Sequence, residues 1–247
     1  MTSTSNASSP RPHNPIRLRE AWKALKELIR DPDRTDRVFV IIDALSGNTG
    51  ERLFRRFEAS PVGARVLAEK RNILTRLSDR EYLQALPPAS AGAVYADFMN
   101  REQLDAAGLV EASEHGSREP NGDPGRLLFG ARLRDTHDLW HVVTGYNRDL
   151  VGEAALLSFT FAQTRNPGIG VIVAMAYLLA RGEERHGRKL IRAAYRRGRD
   201  AAWLPGADWE NLLSRPLSEV RSELRVGDPP QYSQVRSADG EAALAVQ

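Results

Sequence analysis

The chain has 247 residues, 41% of them hydrophobic and 27% charged, an ordinary composition for a soluble protein and enough for one substantial core. It has no cysteine, which excludes disulfides and thiolate metal ligands. Its 35 basic and 32 acidic residues leave a formal charge of +3. That mild basicity suits an anionic surface, and no motif for RNA or DNA accompanies it.

Residues 1–15 are rich in Ser, Thr, Asn and Pro and read as a disordered tail, with neither the apolar run of a signal peptide nor the arginines of a transit peptide. Residues 16–30 place Trp22, Leu25, Leu28 and Ile29 on one helical stripe. The apolar run Val38 to Ile42 fits a strand or a buried helix start, and the following Leu45, Leu53, Phe54 and Phe57 favour helix. Further helices are predicted at 61–69, 78–85 and 101–107. A Gly/Pro-rich loop follows at about 112–126. A helix is predicted at 132–144, a turn at Gly145 to Asp149, and a second helix from about 149, antiparallel to the first.

Ile169 to Ala180 is apolar on every side. Its twelve residues are too few to span a bilayer, which takes about 20. The plain reading is a buried core helix; the alternative is the wall of a long apolar pocket or a membrane-contacting face. The next helix, predicted at 183–201, carries Arg185, Arg188, Lys189, Arg192, Arg196, Arg197 and Arg199. Such a run fits a solvated face, or contact with anionic lipid. Residues 228–247 are polar, hold a Pro pair and read as a second tail. The fold class is mainly α, a single-domain helical fold over 16–227 with no internal repeat.

One cluster carries chemistry: His137-Asp138-Leu139-Trp140-His141, then Glu153 after eleven residues, in a chain with five histidines. His137 and His141 lie about 40° apart on one helix face, one turn from each other. Asp138 sits about 100° round, placed to reach the same ion or to orient a ligand. Glu153 is 16 residues from His137, about 24 Å along a straight helix, so the chain must double back. The turn at Gly145 to Asp149 does this and faces Glu153 towards the histidines. Imidazole with carboxylate is a donor set for a divalent ion where thiolates are absent. The pattern departs from zinc peptidases, because Asp138 is one methylene short of their general base. It also lacks the further His and Asp of His-Asp phosphohydrolases, since His13 and His115 fall in tail and loop sequence.

The flanking residues sharpen the match. Arg132 to Gly145, followed by Gly152-Glu153, resembles the signature of the coenzyme Q biosynthesis protein 4 family: H-D-x-x-H-x(11)-E with a preceding Arg, an aromatic before the second His and a Gly before the Glu. Leu86 to Met99 resembles the family's upstream segment, and Trp203, Trp209-Glu210 and Pro216 to Arg221 its C-terminal part. The resemblance covers roughly 35–226. Leu133 stands where Tyr is frequent and Thr136 where Cys is frequent, which leaves every ligand position intact and marks a divergent member.

The resemblance implies ubiquinone biosynthesis at a membrane surface: oxidative decarboxylation at C1 of a polyprenylated aromatic acid. It also admits a non-catalytic organiser of the other biosynthetic enzymes, with a structural metal joining the two helices. In the enzyme reading His137, His141 and Glu153 hold the ion, Asp138 is ligand or base, and Arg134 clamps the substrate carboxylate. Zinc is placed before iron. Zinc has no redox chemistry, whereas iron with two histidines and a carboxylate would resemble an oxygenase site. The expected partners are the lipid substrate, the membrane and other pathway enzymes, and a homo-oligomer is compatible with these. The implied location is cytoplasmic, peripheral on a bacterial inner membrane.

Overall fold

Seven polar side chains punctuate the chain into helices. Ser60, Asn72, Asp79, Ser90, Asp123, Asp149 and Asn166 each accept a hydrogen bond from a backbone N–H in the first turn that follows. Three of these turns also hold proline at the start, at Pro61, Pro124 and Pro167. Each cap satisfies donors that a helix cannot satisfy itself, and contributes about 1 kcal/mol.

The computed structural model describes residues 15–31, 34–104, 123–180 and 185–235. Most of the two predicted tails and of the 112–126 loop, with His13, His115 and positions 105–107, lie outside these residues. In chain order the α-helices are α1 (Leu18–Arg30), α2 (Thr35–Leu45), α3 (Thr49–Glu58), α4 (Pro61–Ala68), α5 (Ile73–Leu77), α6 (Arg80–Ala85) and α7 (Ala91–Arg101). They continue as α8 (Pro124–Asp135), α9 (His137–Thr144), α10 (Leu150–Thr164), α11 (Pro167–Leu179), α12 (Arg185–Asp200), α13 (Trp209–Leu212) and α14 (Leu217–Glu223). Among the described residues there is no strand, only an isolated bridge between Ser90 and Pro216.

The main core gathers Tyr95 and Phe98 from α7, Leu139 and Trp140 from α9, Phe159 from α10, Leu190 and Ala194 from α12, and Trp209 from α13. It therefore surrounds the helix that carries both histidines. Parallel helices α10 and α12 are tied by Ser158 Oγ donating to Ile191 O at 2.8 Å and by Gln163 Nε2 donating to Gly198 O at 2.5 Å. A second cluster joins α1, α2 and α11 through Leu25, Ile41 and Ile172. A third stacks Phe57 on Phe129, linking α3 to α8.

Four expectations are corrected. The predicted helix over 132–144 is two helices, interrupted at Thr136, whose Oγ1 donates back to Arg132 O at 2.8 Å, a bond that bends helices. At the predicted 101–107 helix, α7 instead ends at Arg101, and Gln103 has positive φ. In α1 the buried face is Ala21, Ala24 and Leu25, and Trp22 is 57% exposed; the two alanines let α2 approach and turn the indole outward. Helix α11 is not a buried core helix: it packs through Gly168, Ile169 and Ile172, leaving Leu178 and Leu179 53% and 56% exposed. No helix among the described residues is long and apolar enough to cross a membrane.

Candidate metal centre

His137 opens α9 and His141 follows one turn later, against the main core. Their Nε2 atoms face each other at 3.3 Å. His141 is fully buried, and its Nδ1 lies 2.9 Å from the Tyr146 carbonyl. A carbonyl oxygen only accepts, so Nδ1 carries the proton. A neutral His141 then presents a bare Nε2 lone pair to His137. The His141 ring also stacks on Phe98, with centroids 5.8 Å apart, which fixes its plane.

Helix α10 brings the carboxylate. Asp149 Oδ1 accepts from Val151 N and Gly152 N at its start, so Glu153 lies in the first turn. Its Oε1 is 3.4 Å from His141 Nε2 and its Oε2 is 3.8 Å from His137 Nε2. Asp138 is buried, and one donor atom from each of His137, Asp138 and His141 lies within 4.8 Å of the others. Ligands about 2.0–2.2 Å from one tetrahedral ion sit about 3.3–3.5 Å from each other. The histidine and Glu153 separations fall in or close to that range, and the group of three that could hold an ion is His137, Asp138 and His141, with Glu153 outside it.

The electrostatics suit a cation. Burial works against charge on His141, yet the Glu153 and Asp138 carboxylates raise its pKa overall. Burial alone would raise Glu153 in turn, and the two imidazoles bring it well below its ordinary value. Lone pairs from two imidazoles and a carboxylate converge, an arrangement that a shared proton or a metal ion stabilises. Arg148 Nε adds positive charge 3.5 Å from Glu153 Oε1.

The remaining signature residues have other duties. Arg134 Nε donates to Asp135 Oδ1 at 2.7 Å, so its side chain is engaged by a buried carboxyl that burial raises above its ordinary pKa. Arg132, 2% exposed, makes a two-pronged bond to Glu210 at 2.6 and 2.7 Å. It is a clamp between α8 and α13.

Sequence reasoning missed the groups that hold α9 in place. Arg221 donates to Val142 O and Val143 O, and Arg197 to Thr144 O, each at 3.0 Å. Two guanidiniums thus satisfy the last carbonyls of the helix and oppose its negative end. Both arginines are about 55 to 80 residues downstream, and no local pattern links them to the histidines.

The comparisons with known proteins bear on the family of the chain. The model of the family described as "Coenzyme Q (ubiquinone) biosynthesis protein Coq4" matches residues 19–230. A mitochondrial ubiquinone biosynthesis protein of Neurospora crassa is 29% identical over 86% of this chain and 60% of its own length. One from Uncinocarpus reesii is 32% identical over 72% of this chain and 62% of its own. This chain thus spans about three fifths of these relatives. A crystal structure from Nostoc punctiforme PCC 73102, described as a candidate ubiquinone biosynthesis protein, shares the fold with TM-score 0.61 at 23% identity. The match covers 85% of this chain and 99% of that one. With the family model spanning nearly the whole described region, the chain belongs to the coenzyme Q (ubiquinone) biosynthesis protein Coq4 family.

Proposed function

We propose that the chain acts in ubiquinone biosynthesis as a metal-dependent enzyme, removing the ring carboxylate at C1 of a polyprenylated aromatic acid and leaving a hydroxyl there. In net terms the ring carboxylate and water become the phenol, carbon dioxide and a proton, and two electrons pass to an oxidant of the dioxygen class. The observation that carries the reading is the convergence of His137, His141 and Glu153, with the His141 lone pair aimed inward by the Tyr146 carbonyl.

His137, His141 and Glu153 would hold a divalent ion, zinc before iron, with Asp138 as a further ligand or as proton acceptor. When bound, the ion supplies Lewis-acid stabilisation to a phenolate or carboxylate oxygen of the substrate. His141 does not move its proton in this scheme; Nδ1–H stays with the Tyr146 carbonyl. As proton acceptor, Asp138 would take the phenol proton. Arg148, beside Glu153, supplies positive charge for the substrate carboxylate, and Arg134 is a second clamp if it leaves Asp135.

The substrate is carried in a membrane, and two surface features suit peripheral attachment. The outward stripe of α11, Pro167, Val171, Ala174 and Leu178, is exposed and apolar. Beside it α12 stacks Arg188 and Arg192 on the Tyr177 ring. Apolar groups rimmed by arginine and tyrosine fit the boundary between headgroups and acyl chains.

The reading is tested on purified chain by elemental analysis. Native protein should carry close to one equivalent of a transition metal, and His141→Ala and Glu153→Gln should lose it while staying folded. Equal metal content in native and variant protein would defeat the proposed ligand set.

A further inference from the structure

The stretch 228–235, expected as the start of a polar tail, is instead laid across the turn between the two site helices. Arg197 holds its beginning, with Nε donating to Val226 O and Nη2 to Asp228 O, both at 3.0 Å. Its far end pairs with the start of α10: Leu150 N donates to Val235 O at 2.8 Å, and Val235 N to Asp149 Oδ1 at 3.0 Å. Between them the Tyr232 hydroxyl accepts from Asn147 N and donates to Asp149 Oδ2, each at 2.8 Å. Asp149 is almost fully buried. Its two oxygens therefore serve the cap of α10 and the strap together.

Two glycines of the signature lie against this strap. Gly145 has φ of +76°, and a Cβ there would meet the Pro229 Cβ at 2.5 Å. At Gly152, beside Glu153, a Cβ would meet Asn147 O at 2.0 Å and the Tyr232 hydroxyl at 2.5 Å. At Gly145 the strap adds to a positive φ, and at Gly152 to the closer Asn147 carbonyl, so at both positions it is a further reason for a bare Cα.

We infer that residues 226–235 are a positioning strap for the metal centre, with Tyr232 as its principal positioning residue. The inference rests on the metal reading above. Among the described residues, the Tyr232 hydroxyl bonds Asn147 and Asp149 and not the histidines or Glu153. It acts through the turn: its hydroxyl fixes Asn147, the residue next to the Tyr146 carbonyl that orients His141. Through Asp149 it also fixes the first turn of α10, from which Glu153 projects. Groups that orient ligands in this way are worth about 10–100-fold in metal affinity.

The test uses full-length chain, with cobalt as the probe for its visible spectrum and zinc in competition. Tyr232→Phe keeps the ring and deletes the hydroxyl. Ser158→Ala is the control, removing a buried hydrogen bond between α10 and α12 that lies outside the strap. The expected result is a cobalt dissociation constant about tenfold or more weaker for Tyr232→Phe, with an altered spectrum. Ser158→Ala should lower the thermal midpoint and leave affinity and spectrum native. The His141 tautomer, read by imidazole nitrogen-15 NMR on metal-free protein, should shift from pure Nδ1–H to a mixture in Tyr232→Phe. Native affinity and native tautomer in Tyr232→Phe, whatever its thermal midpoint, would overturn the positioning role. Failure of the native chain to bind cobalt or zinc would instead remove the metal reading, and the tautomer measurement would still decide the strap.

Discussion

At the scale of single residues, most of the candidate site was legible because its four side chains fall within 17 positions and one turn. The helical period placed His137 and His141 together, and the break at Gly145 brought Glu153 back. The partners of the neighbouring arginines were not legible. Arg132 sits in the same run as Arg134, yet it is buried against Glu210, 78 residues away. Breaking such a pair from one side leaves an unpaired buried charge and costs about 3–5 kcal/mol. Arg132→Ala should therefore lower stability by that amount in urea denaturation. His141→Ala, by contrast, removes a ligand and should weaken zinc binding by more than about 100-fold, beyond the effect of losing an orienting group. Competition with a chromophoric chelator reads this directly.

At the scale of elements, the sequence predicted helices where caps and period agreed, as at Pro61–Ala68 and Arg80–Ala85. It failed where a local side-chain bond or a distant partner decided. Thr136 ends one helix and begins another through a bond to Arg132 O, and periodicity carries no sign of that break. The pairing of α3 with α8 was equally hidden, because its contacts, the Phe57–Phe129 stack and the Glu51–Arg126 bond, join residues more than 70 positions apart. Hydrogen bonds from Arg126 and Arg55 hold the Glu51 carboxyl down at about 2, from an ordinary 4.5. A depressed carboxyl contributes stability that is complete above the unfolded value and lost as pH falls through the folded one. This contribution should thus be full above pH 4.5 and disappear towards pH 2. Glu51→Gln should be less stable than native by about 1 kcal/mol or less at neutral pH. The gap should close over that window in urea midpoints measured at stepped pH.

At the scale of the whole molecule, composition and period established a helical chain but not which faces would be covered. Ile169 to Ala180 is apolar all round, which periodicity cannot resolve into inside and outside. Packing on α2 and α10 covers one side and leaves Leu178 and Leu179 to solvent. Replacing both with glutamate should weaken binding to vesicles of anionic lipid at least about tenfold, since part of two leucine transfer energies exceeds that factor. The urea midpoint should hardly change, because both side chains are already more than half exposed. Unchanged vesicle binding would remove α11 from the membrane-facing surface. The central claim, that the histidine and glutamate cluster performs chemistry at C1, is tested most directly by mass spectrometry of quinone intermediates. Cells lacking this chain would receive native protein or His141→Ala, folded and at equal level. His141→Ala cells are expected to lack ubiquinone and to accumulate the prenylated precursor with its ring carboxylate still attached. Full restoration of ubiquinone by His141→Ala would contradict it, and would leave the chain as an organiser whose metal is dispensable.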